Sequence, residues 1–255
     1  MVDMQKLHNH LFGVIGATVT NQSGESAGSA IAKARGWYAD SIGLRATIQA
    51  IPYIGSPLDT LFAGRAAQIH LKRVEEFVHE LDQRLRGMER VAVNLDDDAF
   101  ADLMLTAFER VARTRSEHKR SRFARIITKQ VGEGAKWEEA ESAVRLLGDL
   151  EDVHLEVLGL ALAAPALAKG FEGLRVISIA ASPFRDDNGN GPVALSDALP
   201  HYGTAALRMA CAELMAKGLL HDEGIGRWDL GAMQYFVPTD LSDWFAAWII
   251  EPGGA

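Results

Sequence analysis

The chain has 255 residues, 48% of them hydrophobic and 24% charged, with a formal net charge of −8, a composition that fits soluble globular structure with room for one large or two modest cores. A single cysteine, Cys211, excludes an intramolecular disulfide framework and fits a reducing compartment. No run approaches the roughly 18–20 apolar residues of a membrane helix; residues 11–19 could serve as the core of a secretory leader, but two glycines dilute them and Asp3 offsets Lys6, so a cytoplasmic protein is expected.

Residues 1–50 carry Gly13, Gly16, Gly24, Gly28, Gly36 and Gly43 within helix-compatible sequence. Small residues allow close helix packing, while each helical glycine costs about 1 kcal/mol against alanine, so loosely packed helices are expected here. His8-x-His10 is a weak metal pattern. Residues 51–55 read as a connector. Ser56-Pro57 then starts a helix, with a capping hydroxyl, proline at the first helical position and Asp59 favouring the dipole. Val74, Phe77, Val78, Leu81, Leu85 and Met88 continue its apolar stripe in steps of three and four.

A second helix is predicted over residues 97–113, burying Phe100, Leu103, Met104 and Phe108. Thr114-Arg115-Ser116-Glu117 matches a capping box for a third helix reaching about residue 131 on Phe123, Ile126 and Ile127. Residues 137–150 make a fourth, on Trp137, Ala140, Val144 and Leu147. Short loops between such helices imply antiparallel neighbours, and residues 1–149 are expected to form a helical bundle domain.

Composition changes near residue 150. Residues 1–149 hold 20 Lys and Arg against 20 Asp and Glu, whereas residues 150–255 hold 6 against 14. This second part is predicted as a helix over 152–164, a short strand or helix at 175–181, a loop at 182–192 and a short helix at 195–199. A helix follows over 204–220 on Leu207, Cys211, Leu214 and Met215, ending Lys217-Gly218-Leu219-Leu220. A turn-rich stretch at 221–233, the strand-like Gln234-Tyr235-Phe236-Val237 and an amphipathic helix at 241–250 complete it.

That order of helix, glycine stop, hairpin and closing helix resembles the winged-helix module. The resemblance implies a mainly α protein, with an N-terminal antiparallel helical bundle and a C-terminal winged-helix-like α+β domain over 150–255. It says little of function, because the module serves DNA binding, dimerisation and protein docking alike. In a DNA reader the helix at 204–217 would enter the major groove, showing Ala205, Arg208, Met209, Ala212, Glu213, Ala216 and Lys217. The wing, 221–229, would offer Arg227 against Asp222, Glu223 and Asp229. Phosphate contacts supply most DNA affinity, and this surface has few cations to make them. Arg208, Met209, Glu213, Lys217, Arg227 and Trp228 are therefore read as a protein-interaction surface. Fainter still, residues 51–56 and 114–120 resemble helical domains of uncharacterised bacterial proteins, which implies a bacterial helical domain and transfers no functional residue.

Arg110, Arg113, Arg115, Lys119, Arg120, Arg122, Arg125 and Lys129 stand against only Glu109 and Glu117 within residues 107–130. Such a stretch suits an acidic protein partner, nucleic-acid phosphates or an anionic membrane; salt bridging to neighbouring helices is the plainer account. Few aromatics interleave with it, which weakens single-strand nucleic-acid binding. Asp186-x-Asn188-x-Asn190-Gly191 matches the start of a calcium loop whose twelfth position is Asp197, and resembles those of EF-hand-like and dockerin modules. Pro192 at position seven and Ala194 depart from that pattern, and the same residues make good surface turns.

The remaining signals are weak. His70 and His79 lie about 13 Å apart along a helix, and His154, His201 and His221 are isolated. No His-Glu-x-x-His, Cys-x-x-Cys, phosphate-loop or nucleophile-elbow pattern occurs. Trp228, Trp244 and Trp248 with Tyr235 and Phe236 read first as core of the second domain. The expectation is a non-enzymatic regulatory or scaffolding protein, working through protein docking or homo-oligomerisation, with no cofactor beyond calcium at that loop. Two rivals stay open: a DNA-binding regulator, and a membrane-associated protein using the glycine-rich start with the basic helices.

Overall fold

A computed structural model describes residues 67–86, 97–133, 136–168, 170–225 and 230–251. The glycine-rich start, His8-x-His10, the helix start at Ser56-Pro57, and Arg227 and Trp228 of the wing lie outside them. The described chain is mostly helical, with eight helices and a small mixed sheet confined to its C-terminal part. It divides into two compact units, Met1–Gly148 and Asp149–Ala255. No helix among the described residues is long and apolar enough to cross a membrane.

The first unit contributes α1 (Ala67–Arg86), α2 (Asp97–Arg113), α3 (Glu117–Glu133) and α4 (Trp137–Asp149), the last reaching one residue past the boundary. Helix α1 packs on both α2 and α3, because the apolar steps of three and four place Phe77, Leu81, Phe100, Leu103, Phe123, Ile126 and Ile127 in one core at 1% exposure or less. Phe77 and Phe108 meet edge to face at 5.9 Å, and Phe100 meets Trp137 at 6.2 Å, favourable offsets for rings.

One cap departs from the sequence reading. Helix α3 starts at Glu117, and its cap is Ser116, whose hydroxyl accepts the Lys119 N–H at 3.3 Å. The Thr114 hydroxyl instead donates back to the Arg110 carbonyl at 2.8 Å. Thr114 thus serves the end of α2, and the predicted capping box from Thr114 to Glu117 is replaced by a single cap at Ser116, two residues later.

The second unit starts with α5 (Asp152–Ala163), followed by the hairpin β1 (Ala166–Leu167) and β2 (Leu174–Arg175). Then come β3 (Ile177–Ser178), β4 (Val193–Ala194), α6 (Leu195–Ala198), α7 (Thr204–Ala216), β5 (Leu220–Asp222), β6 (Tyr235–Pro238) and α8 (Asp240–Ile249). The main sheet runs β4-β3-β6-β5, antiparallel at β3–β6 and β6–β5 and parallel at β3–β4. Its register sets Ile177 against Phe236 and His221 against Val237. Phe171, Val176, Leu230, Tyr235 and Val237 form one buried cluster, with Phe184 packed on it.

Helix α7 stops where the glycine predicts. Gly218 takes φ 74°, the Gly218 N–H donates to the Met215 carbonyl at 2.8 Å, and the Leu219 N–H to the Leu214 carbonyl at 2.9 Å. These two bonds satisfy carbonyls that a helix end leaves open, and a side chain at 218 would strain that backbone. The Thr239 hydroxyl then donates to the Gly218 carbonyl at 2.6 Å, and that of Ser242 to the Leu219 carbonyl, fastening the start of α8 to the end of α7.

Candidate functional site

The inner side of α7 is core. Leu207, Cys211 and Leu214 are fully buried, and burial pushes the Cys211 thiol up to about 12, so it is inert as a nucleophile at neutral pH. The outer side is exposed at Ala205, Arg208, Met209, Glu213 and Ala216, and half-covered at Ala212. Met209 is 61% exposed, unusual for a large apolar side chain in a packed domain. Arg208 makes no ion pair among the described residues. Lys217 is largely covered and lies 3.5 Å from Asp149, which takes it out of the predicted interaction surface.

Sequence reading missed the cap of α5, a histidine that also lies beside Glu213. The His154 ring accepts the Glu151 backbone N–H at Nδ1 (2.8 Å), while the Glu151 side chain takes the His154 N–H, a capping box at the start of α5. Its Nε2 lies 2.7 Å from Glu213 Oε2, a close approach without the alignment of a hydrogen bond. One buried imidazole therefore caps α5 and lies beside a carboxylate of α7. The only sequence signal was a histidine three residues after Glu151, opposite to the usual order of a capping box.

The connection between β5 and β6 is built on Asp222, which is fully buried. Its Oδ1 accepts the Gly224 N–H at 2.9 Å and its Oδ2 the Met233 N–H at 2.7 Å, while the Glu223 N–H donates to the Tyr235 carbonyl. The two arms approach so closely that a Cβ on Gly224 would lie 2.3 Å from the Gly231 carbonyl oxygen. Ile225 stands out at 63% exposure. Trp248, Tyr235 and Phe236 are buried, so the aromatic group predicted as core is core at those three.

In the first unit the predicted basic surface comes apart. Arg113 and Arg115 are exposed, but Lys119 and Arg120 are only 6% and 7% exposed. Lys119 Nζ donates to the Gly148 carbonyl at 3.1 Å. Arg120 donates to Glu76 Oε2 at 2.7 Å and to the Arg115 carbonyl at 2.9 Å. A buried cation persists only when paired and hydrogen-bonded, so these two hold helices together and leave the binding set. Arg110 lies against Gly148, and Arg122 and Arg125 are half-buried.

The loop carrying Asp186, Asn188, Asn190 and Asp197 is a closed turn. Asp186 Oδ1 accepts the N–H groups of Asn188 and Asn190 at 2.9 and 2.8 Å, Pro192 is buried, and Asp197 lies in α6 beside the Ser196 hydroxyl. Sequence spacing fits both a surface turn and the start of a calcium loop; the turn is formed, with Oδ1 of Asp186 engaged with its own backbone. No group of three or more metal-ligating side chains is assembled among the described residues.

Burial works to raise the Asp186 carboxyl, and the Asn190 and Asn188 N–H donors outweigh it, leaving the group below its ordinary value. A carboxyl lowered by folding contributes stability above its unfolded value and loses it as pH falls through the folded one. Asp186→Ala is therefore expected to melt below the parent at neutral pH, with the gap closing in acid. Melting curves of both proteins across pH check this; a gap independent of pH would refute it.

The chain matches no family model, no curated protein and no solved structure.

Proposed function

We propose that residues 149–255 form a winged-helix-like module that docks protein, carried on an antiparallel helical bundle, in a regulatory or scaffolding protein without catalytic activity. The fold part of this reading is supported by the order α5, β3, α6, α7, β5, β6 and by the strand order β3-β6-β5, the arrangement of a winged helix with its wing between β5 and β6. Strand β4 and the β1–β2 hairpin are additions to it.

The observation that carries the functional part is the outer face of α7. It presents Ala205, Ala212 and Ala216, the exposed Met209, one cation and one acid. A groove-reading helix needs side chains that reach bases and neighbouring cations that neutralise phosphates. Here the residues that would do so are alanines, in a half of the chain holding 6 cations against 14 acids. A small apolar face with an exposed methionine suits a protein surface instead.

The test is a pull-down with full-length protein from a bacterial lysate, beside Met209→Lys, with the eluate divided between proteomics and nucleic-acid staining. Protein retained by the parent, insensitive to nuclease and lost with Met209→Lys, is the expected result. Nucleic acid in the eluate, with duplex binding that falls steeply with salt, would replace this reading by a DNA-binding regulator. Retention of nothing, with no self-association, would end the docking proposal.

A further inference from the structure

We propose that Asn188 is a site of spontaneous deamidation, through attack of the Gly189 nitrogen on its side chain, and that the fold spares the neighbouring Asn190. Residues 186–191 read Asp-Asp-Asn-Gly-Asn-Gly, so two asparagine–glycine steps stand side by side in one loop. Glycine after asparagine leaves the following main-chain nitrogen unshielded and its backbone free to turn toward the carboxamide. In sequence the two steps are equivalent; their surroundings are not.

Asn188 is exposed, and its carboxamide has no hydrogen-bond partner among the described residues; the residue is held through its backbone N–H, which donates to Asp186 Oδ1 at 2.9 Å. Gly189 is exposed too, takes φ 82°, and has open space where a Cβ would stand. One turn bond, from the Gly189 N–H to the Asp186 carbonyl at 3.0 Å, holds the attacking nitrogen. Asn190 is also exposed, but it is pinned to Asp186. Its N–H donates to Oδ1 at 2.8 Å, its carbonyl accepts the Asp186 N–H at 2.7 Å, and its Nδ2 lies 3.5 Å from Oδ2. Gly191 behind it has little room to swing: a Cβ there would lie 2.5 Å from Arg185 Nη1 and 2.6 Å from the Phe184 carbonyl oxygen.

The reaction needs no reagent beyond water. Base takes the Gly189 N–H proton, the nitrogen bonds to Asn188 Cγ, and the Cγ–Nδ2 bond breaks, releasing ammonia and leaving a cyclic succinimide. Water then opens the ring at either carbonyl. Opening at Cγ gives aspartate in the ordinary chain. Opening at the main-chain carbonyl carbon gives isoaspartate, whose backbone runs through Cβ and Cγ and is one carbon longer. Either product adds a negative charge beside Asp186 and Asp187. The longer backbone also shifts Gly189 and Asn190 relative to Asp186, whose carbonyl and Oδ1 accept their N–H groups, so the turn comes apart. Asn190 must first give up its bonds to Asp186 by local opening. At the worth of two ordinary hydrogen bonds, this slows it at least about tenfold.

Incubation of the full-length chain at neutral and mildly alkaline pH, followed by peptide mapping with mass spectrometry over time, tests this. Chromatography separates aspartate from isoaspartate at each position. Asn188 is expected to convert, faster at the higher pH because the attacking nitrogen must lose its proton, with Asn190 at least about tenfold slower. In guanidinium chloride the two should convert at similar rates, since the contacts that distinguish them are gone. Asp186→Ala, which removes both carboxylate oxygens from the loop, should raise the rate at Asn190 severalfold and leave Asn188 at least as fast as before. An Asn188 that stays intact in the native chain overturns the proposal, whatever happens in denaturant. An Asn190 that keeps pace with Asn188 in the native chain overturns its protection by the fold. A rate at Asn190 unchanged by Asp186→Ala overturns the part given to Asp186.

Discussion

Asp222→Ala is expected to destabilise the second unit by about 3 kcal/mol, since the buried Gly224 N–H and the part-buried Met233 N–H lose their acceptor and an unsatisfied group costs about 1–3 kcal/mol. For a unit of this size that lowers the melting temperature by more than about 10 °C. The cost is local in origin. Asp222 is fully buried and its two oxygens accept the Gly224 and Met233 N–H groups on opposite sides of the β5–β6 connection. Without the carboxylate neither N–H keeps its acceptor, and at Gly224 the close approach of the Gly231 carbonyl leaves little room for a substitute. Asp222→Asn keeps one acceptor oxygen but points an amide N–H₂ at the other donor, so it should fall between parent and alanine. Ile225→Ala, on the exposed tip of the wing, should stay within about 0.5 kcal/mol. Thermal unfolding with hydrogen exchange at residues 220–238 measures this; unchanged protection at Gly224 and Met233 in Asp222→Ala would refute it. The same variant bears on function, because a loosened wing leaves the outer face of α7 in place. Protein capture that survives Asp222→Ala supports a contact on the helix, and capture lost from a still-folded variant brings the β5–β6 connection into it.

Much of this fold is legible in the chain, for reasons that differ along it. Helices α2, α3, α4 and α8 declare themselves through an apolar period near 3.6 with polar residues opposite, and one face of each is buried. Gly218 marks the end of α7 because only its backbone takes φ 74° without strain. The strands β1 and β4, of two residues each, leave no period to detect, and β5 hides in a stretch rich in turn formers because its own His221 and Asp222 are polar. The outer face of α7 was legible as well: Arg208, Met209 and Glu213 were assigned outward by helical phase alone and lie there. What phase cannot give is which polar residues are spent internally. Lys119 and Arg120 read as surface cations until the helices that cover them are known, and Asp186 reads as a ligand until its own backbone N–H groups are found on it.

Arg120→Ala is expected to cost the first unit about 2–3 kcal/mol, the range for losing several hydrogen bonds to one charged group. The guanidinium is 7% exposed and joins three segments: Glu76 on α1, and the Thr114 and Arg115 carbonyls in the link between α2 and α3. Its partner Glu76 has a side chain 44% exposed, so solvent screens that ion pair and its own share is modest. The larger part comes from the two carbonyls, which sit where α2 ends and where a cation also favours the helix dipole. Arg120→Lys should recover only part of the loss, because one ammonium cannot span an acid and two carbonyls as a planar fork does. Arg115→Ala and Arg113→Ala, at exposed positions, should stay within about 0.5 kcal/mol. Chemical unfolding of the four variants distinguishes the roles; an Arg120→Ala chain as stable as Arg115→Ala would refute this one. The consequence reaches any assay of the basic stretch. Neutralising Arg115, Arg120 and Arg122 together would abolish binding by loosening the helices, whatever the partner. Neutralising Arg113 and Arg115 leaves the core intact and asks only whether exposed charge attracts an acidic surface.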